Sequence, residues 1–411
     1  MKEQPPTPPR LPANALGCFA CGLCAGVCSA KAITMQMGED GFLRPHVDEA
    51  LCRKCRACEQ MCRKLSAPLP LAGAAPRACY AAYATDTALR RACSSGGVVA
   101  LLAKHTVERG GVAFGVVMNG LDKAEFAAID SVRDLPKMQG SKYLQADTTH
   151  CFEKVAAALK TGVPVLFTGL PCQVKALRLR FGFKHENLLT ADIACHGVPS
   201  KNAYDAWLRE LAHKHGSAVR QVHFRDKTQG WIAYRMRVEF EDGTDEVFAE
   251  NPFHLLFLNR LCVNETCYAC QKDATTHSSD LTASDLWGVR DLSGDEKMHG
   301  VSGVACHTEK GMQALAALGA ELYMRPVSVA DVERGNGGMR MGSIPIPWQR
   351  AHLLRDLRKM PVSAAYHRYF IRPNTLRRSV ALFGKHILLP DLAYRVLRGV
   401  KRLVCRDGQA G

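Results

Sequence analysis

Eight of the eighteen cysteines in this 411-residue chain lie between Cys18 and Cys62, and their spacing constrains the fold more than any other feature. The stretch "CFACGLCAGVC" places Cys18, Cys21, Cys24 and Cys28 at C-x2-C-x2-C-x3-C. "CRKCRACEQMC" repeats that spacing with Cys52, Cys55, Cys58 and Cys62. A disulfide framework is a poor explanation. The opening residues, "MKEQPPTPPRLPANALG", are proline-rich and lack the apolar centre of a secretory signal. Clustered cysteine in such a chain reads as metal binding in a reducing compartment, so the expected location is cytoplasmic. No apolar run of about eighteen residues, the length of a membrane-spanning helix, is present.

Three cysteines set two residues apart can each take one corner of a cubane, while the fourth leads away on a helical turn. In the two-cluster ferredoxin arrangement that fourth cysteine ligates the other cluster. One [4Fe–4S] cluster is therefore expected on Cys18, Cys21, Cys24 and Cys62, and a second on Cys52, Cys55, Cys58 and Cys28. Between the runs, "AITMQMGEDGFLRPHVD" reads as strand, turn, strand, the small sheet of a ferredoxin pseudo-repeat. The proline usual after each fourth cysteine is replaced by Ser29 and Arg63. The alternative metal is zinc, which is more often held by two separated C-x2-C pairs. Arg53, Lys54, Arg56, Arg63 and Lys64 crowd the second run. They would raise the potential of a cluster there, or face solvent or an acidic electron donor.

The pattern divides the chain into a proline-rich leader (1–16), the ferredoxin unit (17–65), a linker (66–78), an α/β or α+β body (79–355) and a basic helical tail (356–411). In the body, "VPVLFTG" and "LLTADIAC" are continuous buried strand patterns, and "SKNAYDAWLRELAHKHG" is a helix capped by Ser200. Each of the two buried strands runs into a cysteine, Cys172 or Cys195. Ligand sites gather at the carboxyl ends of strands in open α/β sheets. Cys267 and Cys270, in "CYAC", have no C-x-x-C mate nearby. They are a redox pair, an accident of sequence, or half of a site completed by Cys172 and Cys195.

In this order after a ferredoxin unit, "VLFTGLPCQ", "DIACHGVPS", "CYAC" and "SDLTASDLWG" resemble the coenzyme F-420 (deazaflavin) hydrogenase/dehydrogenase beta-subunit family. "SSGG" (Ser94, Ser95, Gly96, Gly97), "GSKYLQ" (from Gly140, Ser141, Lys142 and Tyr143) and "FRDKTQGW" (with Arg225, Asp226 and Lys227) match as well. The resemblance covers roughly Cys18 to Leu354. It implies an iron–sulfur flavoprotein carrying FAD, with a third [4Fe–4S] cluster on Cys172, Cys195, Cys267 and Cys270. It also implies that "SSGG", opening a helix, helps bind the flavin, which suits backbone N–H groups and pyrophosphate. Lys142 could pair with a phosphate or with the reduced isoalloxazine, and Asp226 and Lys227 could touch flavin or form a solvated turn. His196 is the candidate proton donor to substrate, or a donor to a cluster sulfur. The chain departs from the family pattern at Leu170, where Thr or Ser is common, at Ser284, where Gly is common, and in "NETCY", which replaces Arg-Pro-Ser-Cys-Tyr.

The expected fold class is thus a bacterial-type two-cluster ferredoxin unit joined to a mixed α/β flavin and iron–sulfur domain. The expected function is an oxidoreductase passing electrons through the clusters to FAD and a small organic substrate. Its partner would be a ferredoxin or a hydrogenase/dehydrogenase subunit, with no nucleic acid. Two other functions fit the same equipment: an electron-transfer subunit without its own catalysis, and a redox enzyme of cell-surface polysaccharide synthesis. The net charge of +15 is concentrated toward the end, where residues 372–406 hold nine Lys/Arg against Asp391. Such a segment could lie peripherally on an anionic membrane, dock a partner, or simply close the fold.

Overall fold

The computed structural model describes residues 17–66, 75–270, 278–334, 336 and 344–371, together with Pro9 and Leu11. Most of the expected leader, the centre of the linker and the basic segment beyond Ile371 lie outside the described residues.

The first cysteine run is followed by an antiparallel hairpin of β1 (Ile33–Met37) and β2 (Leu43–Val47), in register from Ile33↔Val47 to Met37↔Leu43. A four-residue helix, Leu23–Gly26, and a longer one, Ala57–Ser66, flank it and pack on each other. Tight docking on the body follows from the hairpin turn. Gly41 sits at φ 78°, and a Cβ there would fall 2.4 Å from Ser200 Oγ and 2.7 Å from Asn202 N. Glycine is therefore required both by the turn and by the close approach. Ser200 caps helix Lys201–His215 by accepting from Asn202 N, and its hydroxyl donates to Asp40 O at 2.7 Å. Cys21, Leu23 and Phe42 accordingly belong to the same apolar core as Phe114, Phe167, Tyr204 and Trp207 of the body.

The body is a mixed α/β layer structure. Its strands are β3 (Ala78–Ala84), β4 (Val112–Asn119), β5 (Lys123–Ile129), β6 (Ala146–Asp147), β7 (Val165–Gly169), β8 (Leu188–Ile193), β9 (Val219–Asp226), β10 (Arg235–Phe240), β11 (Asp245–Phe248), β12 (Leu281–Asp285), β13 (Ser302–Cys306) and β14 (Leu322–Pro326). Nine form one sheet in the order β14-β3-β13-β12-β8-β7-β4-β5-β6. The pairs β4/β7, β7/β8 and β8/β12 are parallel, while β13 runs against both β12 and β3. All five residues of β7 are buried, as expected of a parallel strand covered on both faces. A separate antiparallel sheet, β11-β10-β9, backs helices Lys201–His215 and Pro252–Leu258 through Trp207, Phe240 and Phe253. The described part of the expected tail continues this core, because Leu357, Val362 and Ala365 are completely buried. No helix among the described residues is long and apolar enough to cross a membrane.

Candidate functional site

The cysteines of the two N-terminal runs are brought together across the runs. The charges of Cys18 and Cys62 bear on Cys21, and those of Cys21, Cys18 and Cys62 bear on Cys24. The same four line one small cavity with Phe19, Met35 and Pro45. Cys58, in turn, feels Cys28 and Cys55. Burial pushes the Cys21 thiol up to about 12, and burial likewise raises Cys18, Cys24 and Cys62. Four desolvated thiols that repel one another as anions need a positively charged core to become thiolates.

The other four cysteines meet on the carboxyl rim of the large sheet. Cys172 lies in the first turn of helix Pro171–Phe181, directly after β7, and Cys195 lies two residues beyond β8. These strands are parallel neighbours, with Gly169 opposite Asp192. Cys267 and Cys270 occupy and end the short helix Thr266–Ala269. Lys175 feels both Cys270 and Cys172, and Arg260 feels both Cys195 and Cys267. Gly197 joins the two halves, since a Cβ there would be 3.6 Å from the Cys267 Cβ.

All three sets share one backbone device. Ala20 N donates to Cys18 Sγ at 3.4 Å, Lys54 N to Cys52 Sγ at 3.4 Å, and Gly197 N to Cys195 Sγ at 3.4 Å. Each donor follows its cysteine by two residues and has positive φ: 50° at Ala20, 56° at Lys54 and 111° at Gly197. Among the described residues the positive-φ positions other than glycine are Ala20, Lys31, Lys54, Arg56 and Arg260; the first four lie between Cys18 and Cys62, and Arg260 is near enough to Cys195 and Cys267 for their charges to act on it. Left-handed backbone is costly for side-chain-bearing residues and persists where the surroundings impose it. Amide donors aimed at ligand sulfurs are the usual outer support of a metal centre. No three His, Cys, Asp or Glu side chains among the described residues gather closely enough for a single metal ion.

Three of the sequence motifs converge on one another. Ser94 Oγ and Ser141 Oγ share a hydrogen bond of 2.7 Å, and Ser95 Oγ donates to Val301 O. Gly97, at φ 83°, opens helix Val98–Glu108 without a side-chain cap. Gly96 is pinned between Ala82 O and Ser302 N, at 2.5 and 2.7 Å from the position of a Cβ. Lys142 Nζ donates to Gln139 O, and burial pushes its ammonium down to about 8. Gly140, at φ 77°, leaves open space beside it. Tyr143 stacks on His254 at 5.6 Å and meets Phe224 edge-on at 5.4 Å.

The family described as coenzyme F420 hydrogenase/dehydrogenase, beta subunit N-term, matches residues 79–151, and its C-terminus counterpart matches residues 163–330. The chain belongs to the coenzyme F420 hydrogenase/dehydrogenase beta-subunit family. Among curated relatives, an F(420)H(2) dehydrogenase subunit of Methanosarcina mazei is 25% identical over 177 residues. That match takes in 39% of this chain and 48% of the relative, so the chain spans about half the relative's length. A solved structure described as a xenon derivatization of the F420-reducing [NiFe] hydrogenase complex from Methanosarcina barkeri aligns at 18% identity and a TM-score of 0.46. That alignment covers 66% of this chain and 90% of the other.

Within this beta-subunit family member, the "FRDK" side chains are all engaged by protein. Arg225 forms a two-pronged ion pair with Asp285 at 2.6 and 3.1 Å and lies 4.1 Å over the Tyr234 ring. Asp226 accepts from Thr228 N and Arg237 Nε. Lys227 is buried, not solvated, and its Nζ donates to Arg90 O, Ser95 O and His299 O at 2.7, 3.0 and 2.6 Å. This ammonium fastens the loop ending in "SSGG" to the turn before β13. Lys227→Met leaves three carbonyls without their donor, at a cost of about 1–3 kcal/mol. The expected result is faster amide exchange over residues 90–97 at unchanged iron content.

His196 stands beside Cys195, with Nε2 2.9 Å from Leu258 O, its ring edge-on to Phe257, and Arg260 against it. Sequence reasoning missed Asp285, which also accepts from Trp231 Nε1 at 2.9 Å, and the Trp231–Trp287 stack at 4.3 Å. "SDLTASDLWG" and "GW" contained these residues without revealing that they meet. Cys93 lies close enough to Lys227 and Lys142 for their charges to act on its thiol.

Proposed function

We propose that this chain is an iron–sulfur flavoprotein oxidoreductase subunit with three [4Fe–4S] clusters and one FAD. The first cluster would be held by Cys18, Cys21, Cys24 and Cys62, and the second by Cys28, Cys52, Cys55 and Cys58. The third would be held by Cys172, Cys195, Cys267 and Cys270. The observation that carries the reading is the repeated amide-to-sulfur bond with positive φ, made at the ferredoxin-like sets and again at Cys195. When bound, clusters handle electrons singly and the flavin exchanges them in pairs with an organic substrate.

The chain's own residues suit a flavin beside the third set. Gly97 opens an eleven-residue helix whose N–H groups have no side-chain cap, a favourable end for a pyrophosphate. Ser94, Ser95, Gly96, Gly140, Ser141 and Lys142 border that end. Tyr143, Arg225, Asp226 and Lys227 hold the walls. Buried Arg225 Nε and His254 Nε2 have no hydrogen-bond partner among the described residues, and both flank Tyr143. Unmet buried polar atoms of this kind fit a polar ligand. His196 is the proposed proton donor, lying at the same rim as Cys195.

The family supports a deazaflavin coenzyme as the small-molecule substrate class. The relative's designation as a dehydrogenase subunit supports a protein redox partner. Anaerobic purification followed by metal, sulfide and flavin extraction tests the reading. The expected yield is about twelve irons and one flavin per chain. Protein that holds its iron but takes up no flavin on reconstitution would instead be an electron-transfer subunit without catalysis of its own.

A further inference from the structure

The loop that supplies Cys267 also grips the first cysteine set. Asn264 Nδ2 donates to the Cys18 carbonyl at 3.3 Å, and Thr266 Oγ1 donates to the same oxygen at 3.1 Å. Asn264 is 1% exposed and Thr266 5%, so both bonds are made away from water. The turn is itself well held. Thr266 N donates to Asn264 Oδ1, Cys267 N donates to Asn264 O, and Asn264 N donates to Val198 O. Glu265 pairs with Arg350 at 3.5 Å, and Arg350 Nε donates to Val263 O. One short turn thus bonds Cys18 at one end and presents Cys267 at the other.

The neighbouring contacts point the same way. Gly22 and Gly26 bring helix Leu23–Gly26 against Thr148 and Phe152, and the helix bearing Cys62 packs on the helix bearing Cys172. The second set is the more exposed of the two N-terminal sets: Cys55 is exposed, Cys52 and Cys28 are half-buried and Cys58 is buried, whereas no cysteine of the first set is exposed. Arg53 and Arg56 are exposed beside it, Arg56 being paired with Glu59. Asn264, Glu265 and Thr266 are also the residues that replace Arg-Pro-Ser before the Cys-Tyr of the family pattern.

From this juxtaposition we propose that Asn264 and Thr266 are positioning residues that lock the first cysteine set against the third. The first set is then the end of the ferredoxin unit that exchanges electrons with the body, and the second set is the end that exchanges them with an external protein carrier. Electron transfer weakens steeply with separation, and Cys18 reaches Cys267 through a single hydrogen-bonded turn. The inference rests on the cluster assignments proposed above and adds an order to them.

Thr266→Val and Asn264→Asp each remove one donor at nearly constant volume, and Thr266→Ser restores the hydroxyl. Three measurements are made on anaerobically purified full-length protein: iron content, amide exchange over residues 18–24, and magnetic coupling between the reduced first and third clusters by low-temperature paramagnetic resonance. In Thr266→Val and Asn264→Asp, full iron is expected, with amide protection reduced about tenfold for each bond lost. The coupling weakens in both, and Thr266→Ser matches the parent. Unchanged protection and coupling in iron-replete variants would overturn the positioning role. So would loss of first-set iron, which assigns the bonds a structural role instead. A parent with about eight irons rather than twelve would overturn the third-cluster reading itself, and the iron count separates the two failures.

Discussion

Cys172→Ser and Cys195→Ser are each expected to carry about four fewer irons and four fewer acid-labile sulfides per chain than the parent. Both thiols sit at the ends of adjacent parallel strands, and each shares a flanking cation with one cysteine of the "CYAC" pair. Serine keeps the volume but replaces a soft thiolate with a poor iron ligand. The first cysteine set lines its own cavity, and both N-terminal sets have their own backbone donors, so their absorption should survive. Reduction of a bound flavin by way of the N-terminal sets should then be lost almost completely. Iron and sulfide analysis alongside visible spectra checks the result, and full iron in both variants would refute a third cluster there.

Asp280→Ala is expected to lower stability by about 3–5 kcal/mol, the usual cost of stranding one member of a buried ion pair. Asp280 Oδ2 accepts from Arg178 Nη2 at 2.7 Å, Thr190 N at 2.8 Å and Thr190 Oγ1 at 2.9 Å, while Oδ1 accepts from Thr308 Oγ1. Arg178 and Asp280 are each 3% exposed. The pair ties the helix carrying Cys172 to β8 and to the start of β12, so the damage should reach the third cysteine set. Replacing both partners with Arg178→Met and Asp280→Leu should recover much of the loss, because no charge is then left unpaired. Anaerobic thermal unfolding of the single and double variants provides the measurement. A double variant no more stable than Asp280→Ala would show that the cost lies in the hydroxyl and amide bonds rather than in the stranded guanidinium.

Much of the fold was legible because it is written locally. The runs "VLFTG" and "LLTADI" predict parallel strands, and they form β7, buried throughout, and β8, buried at four of its six residues. Ser200 precedes its helix as a hydroxyl cap should. The role of "FRDK" was less legible. Its charges read equally as ligand contacts or as a solvated turn, whereas Lys227 spends its three donors on carbonyls from two distant loops. Arg225 and Asp285 lie 60 positions apart, and Arg178 and Asp280 lie 102 apart. No local pattern pairs charges at such separations.

The cysteine triplets, their repeated spacing, the buried strands and the family resemblance can all be read along the linear chain. These depend on neighbours a few residues apart, where sterics and periodicity act directly. Only the packed fold shows that Arg178 meets Asp280, that Arg225 meets Asp285, and that the Cys18 carbonyl is gripped by Asn264 and Thr266. The contacts to Cys18 join segments some 246 and 248 positions apart, and only burial of a common core brings them within bonding distance.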